Sequence, residues 1–298
     1  MDLPTLDLST LPFNIPLPSP QTLTIFSTLT TLLLPLLACI YFQKDYKHYL
    51  SLGPGGTPST PLGYLKIKTL SLISLRDPLR PLPVPPHFRP QRGFFSPTSL
   101  PNRQGKRPLI HGIAPQRQQS EKSTPEVYAS LVAELRNLTA NPKNCVIERT
   151  SCFEKHSSGL FATTPITRTC GGEICHAHPS DGSLHLSLHP ADARILIQAG
   201  WGERHPLAKG GWFRRFVPRE FVLVYAPRNE KEVGVVMDVV AAAVWWVSGI
   251  DVNAGGEGEK DRGLDPAALV QAKANNECVS CRLNGFGGKG VGKMVADA

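Results

Sequence analysis

No lysine or arginine occurs between Met1 and Gln21, and no charged residue at all between Leu23 and Phe42. The first absence speaks against a secretory signal peptide, which expects a positive n-region. The second leaves 20 uncharged residues, enough at 1.5 Å rise per residue to cross roughly 30 Å of hydrocarbon. Zinc-finger spacing and an aromatic-rich RNA-binding signature are also missing, so nucleic acid is set aside as a partner. Cysteine is sparse: Cys39, Cys145, Cys152, Cys170, Cys175, Cys278 and Cys281 are odd in number and irregular in spacing. That pattern does not support a disulfide framework, and reduced thiols are expected.

What is present is unevenly distributed. A hydrophobic content of 41% suffices for a core, while the 28 prolines and 26 glycines cluster outside it. The net charge is +8, and residues 43–122 alone carry 13 Lys/Arg against 3 Asp/Glu. Basicity therefore belongs to one segment. Beside an apolar stretch it reads as contact with anionic membrane lipid, at roughly 1 kcal/mol per basic residue near the surface. Leu32-Leu33-Leu34-Pro35-Leu36-Leu37 forms the apolar centre of the stretch, and Lys44 and Lys47 follow it directly. Positive-inside logic then expects a single-pass membrane protein with its C-terminal bulk facing the cytosol.

The chain divides by composition into a short N-terminal tail (1–22), a transmembrane anchor (23–42), and a basic, Pro-rich arm (43–122). A folded domain (123–250) and a disordered tail (251–298) follow. Within the arm, Gly63 to Ile73 interleaves apolar residues with lysines, which suits an interfacial segment or an edge strand equally. Residues 76–119 read as mostly irregular.

In the domain, Ser123-Thr124-Pro125-Glu126 starts a helix that ends near Asn141-Pro142. Short strands are expected near 145–149 and 160–163. Leu184, Leu186 and Leu188 alternate with His185, Ser187 and His189, a strand with one greasy and one polar face. A helix from Pro190 to Gly200, a buried strand at Phe221–Tyr225 and a helix from Asn229 to Gly249 complete the pattern. The expected fold class is α+β: a single compact mixed α/β domain behind an N-terminal transmembrane helix.

Two strings in the tail carry little. Gly285-Phe286-Gly287-Gly288-Lys289-Gly290 lacks the strand before it and the helix after it that a dinucleotide site needs. Cys278 and Cys281 form one pair, and one pair cannot close a structural zinc site.

The chemistry concentrates elsewhere. His176, His178, His185, His189 and His205 place five of nine histidines, with Glu173, inside 33 residues. One reading is a metal site, which would combine His176 or His178 with His185 and Glu173. His189 lies about 13 Å from His185 on an extended strand, too far to share an ion. The other reading is metal-free oxygenation. A histidine removes the proton of an enol near neutral pH, and the enolate then reacts with O2. Arg204 or Arg228 would stabilise the anions, and Trp201 and Tyr225 would wall a flat substrate. The second scheme needs fewer coincidences and is preferred. It requires no cofactor, with molecular oxygen as co-substrate and metal not favoured. His156 is set apart in sequence and is the weakest candidate. Bland alternatives stand beside these: His189 as a structural residue, Trp201 as a core plug, and Arg228 paired with Glu230 or Glu232.

A run of short motifs gives the chain a resemblance to the fungal luciferase family. Asp45-Tyr46, Gly53-Pro54, Gly63-Tyr64, Arg107-Pro108, Gln116-Arg117-Gln118, Ser151, Phe153-Glu154 and His156 come first. Denser blocks follow: Glu173-Ile174, His176, His178, Leu184-His185-Leu186, Gly200-Trp201-Gly202, Arg204-His205-Pro206-Leu207-Ala208 and Tyr225-Ala226-Pro227-Arg228-Asn229-Glu230.

The resemblance implies an oxygenase acting on a hydroxylated α-pyrone, 3-hydroxyhispidin in luminous members, with loss of CO2 from a peroxide. Taken with the chemistry of the residues themselves, catalysis is expected of His176, His178, His185, Arg204, His205 and Arg228. Substrate contact falls to Glu173, Trp201, Tyr225 and His156. The partner is a small aromatic or pyrone metabolite of secondary metabolism. The sequence departs from the luminous pattern at Trp212-Phe213-Arg214-Arg215, at Cys175 and in its tail. Rival readings are a metal-dependent hydrolase or oxygenase using the same histidines, and a non-enzymatic membrane adaptor.

Overall fold

The structure, a computed structural model, describes residues 19–253. The tail assigned as disordered, with Cys278, Cys281 and the glycine string, therefore lies almost wholly outside the described residues. The chain divides into two units, Met1–His48 and Tyr49–Ala298.

Helix α1 (Pro20–Ser51) accounts for the first unit and runs a little past it. Its apolar window has a mean hydropathy of 2.1, long and apolar enough to cross a membrane. Thr24, Thr28 and Thr31 donate their hydroxyls to carbonyls four residues upstream. A hydroxyl satisfied within its own helix adds little polarity to the surface.

The second unit begins well before residue 123, where composition had placed the domain boundary. Helix α2 (Pro61–Ile73) settles the ambiguity of that segment: it is helical. The Thr60 hydroxyl caps it by accepting from Gly63 N at 3.1 Å, and Pro61 sits in the first turn. Ile67 and Leu70 face inward, whereas Leu62, Leu65 and Leu72 are exposed.

The stretch from Ser74 to Leu109 has no helix or strand, as its prolines dictate, yet it is not a free arm. Asp192 accepts from Phe94 N and Phe95 N, each at 2.9 Å, and Trp201 Nε1 donates to Pro101 O at 2.6 Å. Strands β1 (Ile110–Gly112) and β2 (Gln116–Gln118) then pair as a hairpin whose second strand is wholly buried. Composition missed this because Gln116, Arg117 and Gln118 are polar. They are buried because they belong to the site.

Six further strands form one antiparallel sheet: β3 (Val146–Thr150), β4 (Ser158–Ala162), β5 (Glu173–Ala177), β6 (Leu184–Ser187), β7 (Gly202–Arg204) and β8 (Phe221–Val224). Their spatial order is β3-β4-β5-β6-β8-β7. Three helices complete the unit: α3 (Pro125–Ala140), α4 (Pro190–Gln198) and α5 (Glu230–Ser248).

Helix α5 lies against β4, β5 and β6 with α3 beside it. It is apolar around most of its circumference, as a helix buried in a core must be. Asn229 caps it, and Gly249, at a φ of 80°, ends it in the left-handed region. Leu184, Leu186, Val222 and Val224 meet this helical layer.

The opposite face of β6 carries His185 and Ser187, and it is just as buried. The greasy and polar faces expected from the alternation are both present. The polar one is roofed by the 49–122 segment rather than by water.

Candidate functional site

Register decides which side chains converge. His176 on β5 is the direct cross-strand partner of His185 on β6, and His185 is in turn the partner of Leu223 on β8. His178 follows β5 by one residue, and His205 follows β7. Ring centroids are 5.2 Å apart for His176 and His185, 4.6 Å for His178 and His185, and 5.1 Å for His185 and His205. All four rings are buried.

Each ring is held from behind. His176 Nδ1 lies 2.7 Å from Glu173 Oε1. Glu173 also accepts from Ser151 Oγ at 2.6 Å and from Cys152 N at 2.7 Å. His178 Nδ1 lies 2.9 Å from Ser183 Oγ, which donates to Asp181 Oδ1 at 2.6 Å. His185 Nε2 lies 2.9 Å from Gln116 Oε1, and the Gln116 amide nitrogen donates to Glu203 Oε1 at 3.3 Å. Tyr225 donates to the other oxygen of Glu203 at 3.0 Å.

His205 is fully engaged, with Nε2 2.9 Å from Ile113 O and Nδ1 accepting from Leu207 N at 3.1 Å. It is therefore a wall of the site with no nitrogen to spare.

Burial sets the protonation. Loss of solvent holds His178 and His185 well below the ordinary imidazole range, reinforced by neighbouring histidines and Arg117. Burial brings His205 down to about 3. The same cause raises the carboxyls of Glu154, Asp181 and Glu203. Arg117 pairs with Glu154, whose second oxygen is 4.0 Å from His178 Nε2.

The imidazoles of His176, His185 and His205 open onto a cavity of about 480 Å³. Phe153 and Phe221 wall it, with ring centroids 4.7 Å apart, and Phe221 stacks on His185 at 5.1 Å. Ile67 and Leu70 of α2 close the far side; Lys66, Lys155 and Arg215 also line it.

Several sequence-based assignments need correction. Arg204 aligns with Val222 on β8, whereas Glu203 aligns with Leu223, so the strand period of two turns Arg204 to the other face. Its guanidinium bonds the carbonyls of Arg80 and Ala208. Arg228 pairs with Glu232 and Glu121, the bland alternative. Trp201 belongs to the hydrophobic core. Tyr225 supports Glu203 and does not reach the cavity lining.

His156 is exposed. Glu173 orients His176 and is not a substrate contact. His189 leaves the cluster because β6 ends at Ser187. It caps α4 by accepting from Ala191 N at 3.2 Å and packs on Trp246 at 4.9 Å. Cys170 is disulfide-bonded, against the expectation of reduced thiols; Cys39, Cys145 and Cys175 are free.

Gln116, Arg117, Glu154, Ser183, Asp181 and Glu203 were not assigned roles. The Gln116-Arg117-Gln118 and Phe153-Glu154 motifs were the available signal. The metal alternative changes too. The ligand atoms of His176, His178 and His185 all lie within 4.8 Å of one another, so all three histidines converge and Glu173 stands behind them.

The model of the Luciferase domain family matches residues 171–243, which contain β5 through most of α5. A luciferase of Armillaria ostoyae is 31% identical over 224 residues, covering 70% of this chain and 82% of its own length. A luciferase of Neonothopanus nambi is 30% identical over 225 residues, covering 69% and 81%. No solved structure matches the chain.

Proposed function

The chain belongs to the fungal luciferase family, and on that premise we propose that it is an oxygenase adding O2 to a small, flat hydroxylated pyrone or phenolic metabolite. The observation that carries this reading is a group of buried imidazoles, His185 and His205 among them held neutral by burial, at the floor of an aromatic-walled cavity of about 480 Å³. Small-molecule sites typically run from roughly 300 to 1,000 Å³, with apolar walls and a few convergent polar groups.

A planar substrate would lie in the cavity against the touching rings of Phe153 and Phe221, with its acidic hydroxyl toward His176 and His185. Loss of that proton makes the ring carbon electron-rich enough to bond one oxygen of O2. The second oxygen keeps the electron pair as a peroxide anion and takes a proton from the floor of the site. Positive charge for that anion comes from the floor of the site once it holds the substrate proton, not from Arg204 or Arg228, which are bonded elsewhere.

Helix α1 is read as a single membrane anchor, with the catalytic unit on the cytosolic side. Lys44 and Lys47 directly follow the apolar stretch, which supports that orientation. Helix α2 exposes Leu62, Leu65 and Leu72 next to Lys66 and Lys68, a composition suited to a lipid surface. Retention in the membrane pellet after alkaline extraction, with Met1 still present, would support the anchor. A processed, soluble protein would mean a cleaved signal sequence.

The test of the reaction is oxygen uptake, with light detection alongside, by the detergent-solubilised chain given 3-hydroxyhispidin. Uptake that follows the hydroxypyrone supports the oxygenase. No uptake and no binding of any hydroxypyrone or phenol would favour the adaptor reading.

A further inference from the structure

The hydrogen-bond partners behind the three central histidines fix where each proton sits. Glu173 is an acceptor, so the hydrogen of His176 is on Nδ1 and Nε2 is a bare lone pair. Ser183 spends its hydroxyl hydrogen on Asp181, so it accepts from His178 Nδ1–H, and His178 Nε2 is bare. Gln116 turns its amide nitrogen to Glu203 and its oxygen to His185, so the His185 hydrogen is on Nε2 and Nδ1 is bare.

Three lone pairs therefore point into one small volume. His176 Nε2 and His185 Nδ1 face each other at 3.3 Å. His178 Nε2 is fully buried and has no hydrogen-bond partner. A single extra proton would satisfy His176 and His185 and still leave His178 bare. One cation satisfies all three.

We propose that His176 Nε2, His178 Nε2 and His185 Nδ1 bind one divalent first-row transition ion, with an open position facing the cavity. The proposal deepens the oxygenase reading and rests on it only for the identity of the ligand at that open position, a substrate oxygen. With the ion bound, the lone pairs of His176 and His185 are taken, and the ion in place of a free imidazole would hold the substrate oxygen as its enolate. Neutral imidazole suits zinc, iron, copper and nickel. Two imidazoles about 2.0–2.1 Å from a tetrahedral ion stand roughly 3.4 Å apart, close to the 3.3 Å between His176 Nε2 and His185 Nδ1, and all three ligand atoms lie within 4.8 Å of one another.

Each ligand donates its other N–H to an acceptor, Glu173, Ser183 backed by Asp181, or Gln116 backed by Glu203. That second layer is what metal-binding histidines need for orientation and basicity. Glu154 Oε2, 4.0 Å from His178 Nε2, adds a negative neighbour to the same volume. The order of preference drawn from sequence, metal-free first, is reversed by this proton arrangement.

The experiment uses the full chain in detergent, stripped with a chelator and titrated with Co2+ and separately with Zn2+. One equivalent of Co2+ is expected, with the visible absorption of a nitrogen-ligated ion. The signal should be lost in His178→Gln and His185→Gln and kept in His156→Gln. Ser183→Ala should weaken affinity by about 10–100-fold. Zn2+ should raise the unfolding midpoint of the unsubstituted chain, a readout that does not depend on any variant folding.

Absence of a stoichiometric cobalt spectrum and of a zinc-induced shift would overturn the proposal. So would equal cobalt binding by the histidine variants. The two readings fail separately. No cobalt bound with undiminished oxygen uptake removes the metal and leaves the oxygenase, whereas one cobalt bound without uptake does the reverse.

Discussion

His176 and His185 are direct partners across β5 and β6, and the facing nitrogens of their rings are 3.3 Å apart. Nine residues separate them in sequence, yet the strand pairing makes them one chemical unit. Most consequences for activity follow from that pairing and from what holds the two rings.

Replacing His178 or His185 with Ala should lower oxygen uptake at least about 100-fold, the scale of a lost proton-transfer or charge-stabilising group. A single cooperative unfolding transition should remain, because α5 and the leucine face of the sheet are untouched. Full activity in both variants, measured with an oxygen electrode, would remove the cluster from the reaction.

Arg228→Gln should leave uptake within about twofold of the unsubstituted chain. Its guanidinium is committed to Glu232 and Glu121, in a pair exposed enough to contribute at most about 1 kcal/mol. A large fall in kcat with stability unchanged would return Arg228 to the site.

Ser151→Ala should destabilise the unit by roughly 1–3 kcal/mol. It strips one donor from the buried Glu173 carboxylate and also the acceptor of Phe153 N and Glu154 N. Denaturant titration gives the value. A change below about 0.3 kcal/mol would mean that water replaces the hydroxyl.

Acid should destabilise the fold through the histidines. His205 is lowered to about 3 and His178 and His185 well below the usual range. Below the unfolded value near 6.5 the unfolded chain binds protons that the folded one refuses. Their contribution is therefore present above about pH 6.5 and lost as pH falls, at up to about 1.4 kcal/mol per unit per group.

Asp192, raised to about 6, works in the opposite direction, because its folded form takes up a proton first. His189, lowered to about 4, joins the other histidines, while the raised carboxyls of Glu154, Asp181, Glu203, Glu220 and Asp238 act with Asp192; the histidine contribution is the part lost from about pH 6.5 downward. Unfolding midpoints across that range check the sign, and His205→Gln should flatten the slope by up to one proton. A slope left unchanged by His205→Gln would contradict a buried imidazole that refuses its proton at that position.

Much of the architecture was legible locally. Thr124 and Pro125, Pro190, and Asn229 mark the starts of α3, α4 and α5, because a cap or a first-turn proline acts within three residues. The Leu184–Leu188 alternation marked β6 because a strand repeats every two residues. Strand β2 was not legible. Its three polar side chains carry no apolar period, and their burial comes from bonds to Glu203, Glu154 and Ala226, 37 to 108 residues away.

The sequence alone determined the inventory: a long uncharged helix, a basic proline-rich stretch, and a histidine-dense block that belongs to one family. Composition and short-range periodicity suffice for those features. Tertiary structure decided which of those residues meet. Strand pairing joined His176 to His185, the parity of β7 turned Arg204 away while His205 stayed, and the end of β6 sent His189 to cap a helix. The positions of the protons on the imidazoles were decided last, by Gln116 and Glu203 meeting across 87 positions of chain. A ring's tautomer depends on what lies behind it, and only the folded chain puts those partners there.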